Sequence, residues 1–232
     1  MLIMKFGGSS LSDARCVAQV AALVAQARAT DPELVVVVSA MAGATNALFA
    51  AARAACSNRE AARERLEALR ARHEEAARAL LQTPQELEAA LSTLAGHIDD
   101  VARYCDSIAT LGEASVRTLD LVAGAGERLS STLLAARLRE AGVAAEAVPA
   151  TELIVSDAHF GAAEPVLEAS RPRVQARLWP LVRRGAVPVV TGYIAATADG
   201  VPTTLGRGGS GFTAAILGAC LDAGAVWIWT DV

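Results

Sequence analysis

Lysine is almost absent from this chain. Of its 21 basic residues, 20 are arginine and one is lysine, Lys5. An Arg- and Ala-rich composition accounts for the scarcity, so the one position that retains lysine stands out. A compact, mobile ammonium is not reproduced by a planar guanidinium. A surplus of one charge sign is also missing. The net charge is −4 with both signs interspersed, which excludes an extended nucleic-acid-binding surface. No apolar run approaches the ~20 residues of a membrane span. The β-branched run Leu34–Val38 has the length of a strand instead. The start, Met-Leu-Ile-Met-Lys, lacks the charged region, apolar block and cleavage site of a signal peptide. The four cysteines (Cys16, Cys56, Cys105, Cys220) form no CxxC pair, which argues against a disulfide framework or a zinc site. The three histidines have no ligand spacing, and His73, in a charged segment, is expected at the surface. These absences predict a soluble, cytoplasmic protein with no metal-ligating side chains and no nucleic-acid or membrane partner.

What is present is an alternation of strands and helices. Leu2–Phe6 reads as a short strand ending in Gly7-Gly8. Ser12 is placed to cap a helix whose apolar positions Val17, Val20, Leu23 and Val24 recur at helical spacing. Leu34–Val38 reads as a strand buried on both faces. From about 50 to 110 the texture becomes Ala, Arg, Glu and Leu, which predicts helices. Thr83-Pro-Gln-Glu86 has capping-box spacing with proline at the first helical position. Glu60, Glu64 and Glu67 are like-signed neighbours, so this face is expected to be solvated rather than stapled. Helices are then predicted over 127–141, 174–184 and 212–223, and strands over 143–148, 186–191 and 226–230. Repeated β-then-α units predict an α/β fold with a mostly parallel sheet covered by helices. Ligands of such sheets sit beyond the carboxyl ends of the strands. Trp227 and Trp229, alternating around Ile228, are expected in the core.

Five polar or glycine-rich segments fall at those strand ends. Lys5-Phe-Gly-Gly-Ser-Ser10 joins an ammonium, two glycines that allow close backbone approach, and two hydroxyls. Such a bend can cradle phosphate, although glycine pairs also serve simple turns. It is not a P-loop, because GxxxxGK[ST] is absent. Ser39-Ala-Met-Ala-Gly-Ala-Thr45-Asn46 supplies hydroxyls and an amide, at least one of which is expected to cap the next helix. Gly124-Ala-Gly-Glu127 reads as a glycine loop opening a helix, where an acid is favoured by the helix dipole with or without a ligand. Gly192-Tyr-Ile follows the strand ending at Thr191. Thr203-Thr-Leu-Gly-Arg207-Gly-Gly-Ser210-Gly211 carries the most information. Four glycines, hydroxyls and one guanidinium have the chemistry of an anion nest.

Taken together, KFGGSS, VVSAMAGATN, GERLS, TGYI, TTLGRGGS and IWTDV, with Ile154–Gly161, resemble the aspartokinases of the amino-acid kinase superfamily in order and approximate spacing. The resemblance spans essentially the whole chain. It implies a three-layer αβα sandwich that transfers the γ-phosphoryl of Mg-ATP to the side-chain carboxylate of L-aspartate, giving 4-phosphoaspartate for lysine, threonine and methionine synthesis. On that resemblance Lys5 is the catalytic, phosphate-stabilising lysine. Ser39, Thr45, Glu127, Arg207 and Ser210 bind aspartate, with Arg207 on the α-carboxylate and Glu127 on the ammonium. Gly7, Gly8 and Ser9 line the phosphates, and Thr230 and Asp231 begin the nucleotide site. Magnesium is implied to be held mainly through the phosphates, with no protein ligand assigned. A homo-oligomer is implied as well.

Two departures accompany the resemblance. The family pattern reads GRGGSD, with an aspartate that orients the lysine; this chain has Gly211 there. The family also continues past T-D-V into further nucleotide-binding structure and then ACT domains. The expectation is therefore one catalytic domain over 1–232 with an incomplete nucleotide lobe, a helical segment at about 50–110 and no ACT domains. It would be a piece of a longer protein or a shortened relative. Two alternatives stay open: a kinase for another amino acid, and a non-catalytic aspartate-binding or regulatory remnant.

Overall fold

The computed structural model describes residues 1–230. Its strands are β1 (Leu2–Phe6), β2 (Leu34–Val38), β3 (Ala145–Val148), β4 (Val155–Ser156), β5 (Val187–Thr191), β6 (Ile194–Thr197), β7 (Pro202–Thr204) and β8 (Ala225–Trp229). Its helices are α1 (Ala14–Thr30), α2 (Ala44–Ala55), α3 (Arg59–Leu80), α4 (Pro84–Leu111), α5 (Val116–Ala123), α6 (Ala125–Glu140), α7 (Leu167–Arg183) and α8 (Gly209–Leu221).

Five strands form one sheet in the order β3-β5-β2-β1-β8, and every pairing is parallel. Because strand side chains alternate faces, β2 sends Leu34, Val36 and Val38 into one apolar core with α1–α4 and α6. Val35 and Val37 enter a second core with α7 and α8. Helices on both faces of a parallel sheet make the expected αβα sandwich. A second sheet, β4-β6-β7, was not predicted. Its strands have two to four residues, too few for a periodicity. No described helix is long and apolar enough to cross a membrane.

Several local expectations need correction. Asp13, not Ser12, caps α1: its carboxylate accepts from the Cys16 amide at 2.8 Å. At α4 the capping box is not made. Glu140 of α6 accepts from the Gln82 and Thr83 amides at 3.0 and 3.1 Å, while Glu86 pairs with Arg139. A tertiary neighbour has displaced the local cap. Gly124-Ala-Gly126 is not a loop, because Gly124 adopts helical angles and α5 runs almost directly into α6. α3 does carry charge pairs, Glu67–Arg70 and Glu74–Arg78, although both are largely exposed and contribute little. His73 is fully buried with Nδ1 2.8 Å from the Leu69 carbonyl, and burial lowers its pKa. Trp227 is 46% exposed, because β8 lies at one end of the five-stranded sheet. Trp229 is half-buried and stacks on Phe6 with ring centroids 5.9 Å apart.

Candidate active site

The carboxyl ends of β1, β2 and β5 open onto a cavity of about 400 Å³. Lys5, Ser39, Thr45, Glu127, Arg207 and Ser210, which the sequence places in four separate segments, all line it. Gly211 lines it too.

Each group arrives for a local reason. Lys5 lies one residue before the end of β1, on the same face as Ile3, and desolvation lowers its pKa. Glu127 stands in the first turn of α6 and is 3% exposed. It reaches the cavity because α6 lies hard against the loop after β2: a Cβ at Gly126 would come within 2.7 Å of the Ala40 Cβ. One Glu127 oxygen accepts from the Ala40 amide at 3.1 Å, and the other is buried without a partner. Burial pushes the carboxyl up to about 8, against which the Ala40 bond works only in part. An unpaired, buried carboxyl oxygen facing a polar cavity is costly unless a ligand supplies a donor.

The opposite wall is the start of α8. The helix begins at Gly209, three residues before the expected Phe212, with Gly208 in the left-handed region at φ 79°. Ser210 and Gly211 therefore sit in its first turn, where free amides and the helix dipole favour an anion. Gly192, at the end of β5, permits this approach; a Cβ there would fall 2.6 Å from the Ser210 Cβ. Arg207 is exposed and forms no ion pair among the described residues.

The phosphate-turn candidates are placed beside the lysine. A Cβ on Gly7 would lie 3.6 Å from Lys5 Nζ, and the Gly7 amide donates to Trp229 O at 3.3 Å. Gly8 precedes a short 3-10 turn, Ser9–Leu11. Thr230 follows Trp229 and is exposed. Asp231 lies outside the described residues.

Gly161, Tyr193, Gly206, Gly208 and Gly209 also line the cavity; sequence reasoning singled out their segments but gave these residues no individual role. Tyr193 adopts φ 68°, a conformation that bulky residues rarely hold. Its amide donates to Thr213 Oγ1 at 3.0 Å and its carbonyl accepts from Leu205. Asp120 was missed. It is buried, and it accepts from the Gly161 amide at 2.9 Å and from Thr204 Oγ1 at 2.7 Å, tying two walls of the cavity together. No pattern marked Asp120, since a lone acid in a short helix has no periodicity.

The profile of the amino acid kinase family matches residues 1–232. The chain belongs to that family. It is 33% identical to aspartokinase 1, chloroplastic, of Arabidopsis thaliana over 236 residues, covering 99% of this chain and 40% of the relative. It is also 33% identical to lysine-sensitive aspartokinase 3 of Escherichia coli (strain K12), covering 100% of this chain and 49% of the relative. The chain thus spans less than half the length of both. Among solved structures, E. coli aspartokinase III in complex with lysine and aspartate superposes with a TM-score of 0.89 at 30% identity. The same enzyme with aspartate and ADP gives 0.82 at 30% identity. Each match covers all of this chain and 49% of the other.

Proposed function

We propose that this kinase-family chain forms the amino-acid half of an aspartate kinase site and directs ATP-dependent phosphorylation of the L-aspartate side chain. One observation carries the reading: Lys5, Glu127, Arg207 and Ser210 converge on one cavity in which a buried Glu127 oxygen lacks a partner. The relatives support it, since all those cited are aspartokinases and the E. coli structures hold aspartate, one of them with ADP.

In this reading the exposed Arg207 receives the α-carboxylate in a forked pair. The ammonium meets Glu127, which loses its proton on binding because the incoming charge offsets the cost of burial. Ser39, Thr45 and Ser210 supply hydroxyls that orient the zwitterion. The side-chain carboxylate then points along the cavity towards Lys5. It needs no general base, being ionised already at pH 7. Lys5 and the turn at Gly7–Ser9 hold the transferring group, and Thr230 and Asp231 begin the nucleotide side. No cluster of acids or histidines among the described residues could hold a metal. Magnesium carried on the ATP phosphates would neutralise their charge, so the protein's task is in-line positioning.

A second reading, aspartate binding with little turnover, is favoured by Gly211. A Cβ there would meet nothing within 4 Å, so the position is open where the family pattern sets an acid for the lysine. Lys5 itself makes no ion pair among the described residues, and its pKa is lowered by desolvation alone. A coupled ATPase assay with L-aspartate, L-glutamate and N-acetyl-L-glutamate separates the readings. Aspartate-dependent turnover alone supports the first, aspartate binding without turnover the second, and preference for another acceptor refutes both.

A further inference from the structure

The segment from 50 to 110 reads as solvated helix, yet one of its side chains reaches the loops of the site. Arg72 of α3 is half-buried. Its Nη1 donates to the Ala42 carbonyl and its Nη2 to the Ser12 carbonyl, each at 2.8 Å. It forms no salt bridge among the described residues, so its charge is directed at two backbone oxygens. Those oxygens belong to different loops. Ser12 closes the Ser9–Leu11 turn that follows Gly7 and Gly8. Ala42 lies between Ser39 and Thr45.

We propose that Arg72 is a positioning residue that sets the phosphate turn against the loop carrying Ser39 and Thr45. The two loops already touch through the Ala42 amide, which donates to the Gly8 carbonyl at 3.2 Å. At their base the Ser39 amide also donates to the Phe6 carbonyl at 3.2 Å, and Arg72 adds the side-chain tie between Ser12 and Ala42. A guanidinium donates through two nitrogens held in one plane, so it fixes the separation of the two carbonyls as well as their presence. Met41, buried at 2% exposure, lines the same groove as Arg72. Arg72 lines a different hollow from the cavity and touches neither Lys5 nor the substrate groups. Its effect passes through the loops, and it bears on how far phosphoryl donor and acceptor lie apart. That distance governs turnover much more than binding. The catalytic consequence rests on the aspartate kinase reading, whereas the anchoring of the loops does not.

The test compares the parent with Arg72→Met, which keeps the apolar stem, and Arg72→Lys, which keeps the charge on a single nitrogen. Amide hydrogen exchange is followed by mass spectrometry over residues 7–12, 39–44 and 70–80. In Arg72→Met the amides of Leu11, Ser12, Ala42 and Ala44 should exchange about 10-fold faster or more, with α3 unchanged. Arg72→Lys should fall between. Where the parent turns over aspartate, kcat should drop about 10-fold in Arg72→Met while both KM values move less than about 3-fold. Unchanged exchange in the two loops would overturn the proposal. So would equal loosening throughout α3, which would make Arg72 a helix-docking residue, or an unaltered kcat beside loosened loops. A parent without turnover would count against the kinase reading and leave the exchange data to decide the clamp.

Discussion

Lys5 and Glu127 are the residues on which the proposed chemistry turns, and both are shaped by burial. If Lys5 neutralises the transferring phosphoryl group, Lys5→Ala should lower kcat by more than about 100-fold, the scale for losing one preorganised stabiliser. Lys5→Arg should not restore it, because the wider, planar cation does not fit the same point; steady-state kinetics on both variants checks this. Glu127 gives a pH signature. Its carboxyl rises from 4.5 to about 8 in the folded protein, so between those values the folded state holds a proton that the unfolded state has released. Stability is therefore fully present below about pH 4.5, declines as pH rises towards 8, and levels off above it. Thermal melting of the ligand-free chain from pH 5 to 8 should show this decline, and Glu127→Gln should flatten it. Saturating aspartate should also flatten it, by placing an ammonium against the ionised carboxylate. The pairing of Glu127 with the loop after β2 could not be read from one dimension. Only the packing of α6 at Gly126 brings Glu127 to the Ala40 amide.

At the scale of elements, the long, strongly patterned ones were legible and the junctions were not. β1 and β2 were read with the bounds they have, because each is a short, mostly apolar run bounded by turn residues, β-branched throughout most of β2. α8 begins at Gly209 rather than Phe212 since Gly-Gly-Ser-Gly has low helix propensity, and tertiary contact at Gly192 overrides it. α7 begins at Leu167 rather than Val174, and Pro172 lies inside it. Burial of Ser170, Val174, Leu178 and Leu181 on one face outweighs the hydrogen bond that proline forfeits. His73 could have been found: Leu66, Leu69, His73, Ala76 and Leu80 follow a three-four spacing that puts the imidazole on the apolar stripe. The close contacts predict a steric consequence. Gly126→Ala should destabilise the fold by about 1–3 kcal/mol, the usual cost of an extra methyl in a packed interface. It should also weaken aspartate binding, as α6 and Glu127 move away from Ala40. Chemical denaturation beside aspartate titration measures both effects.

Over the whole molecule, the cavity gathers a helix N-terminus, an exposed guanidinium, a buried carboxyl and a lysine, which in the proposed reading suits a zwitterion with a second carboxylate. That convergence was legible as a set of loops at strand ends, although their three-dimensional order and the clamping by Asp120 were not. Gly211 leaves room for a side chain, so Gly211→Asp should be accommodated without loss of stability. It should raise kcat about 10-fold or more if the lysine lacks an orienting acid, measured in the coupled assay. The most direct test of the central claim is calorimetric titration of L-aspartate into the chain and into its Arg207→Ala and Glu127→Gln variants, at pH 7. One site is expected, weakened at least about 10-fold in each variant, as for loss of a charged hydrogen-bonding partner, with Mg-ATP affinity unchanged in both. An equal aspartate affinity in all three proteins, or a parallel loss of Mg-ATP binding, would contradict it.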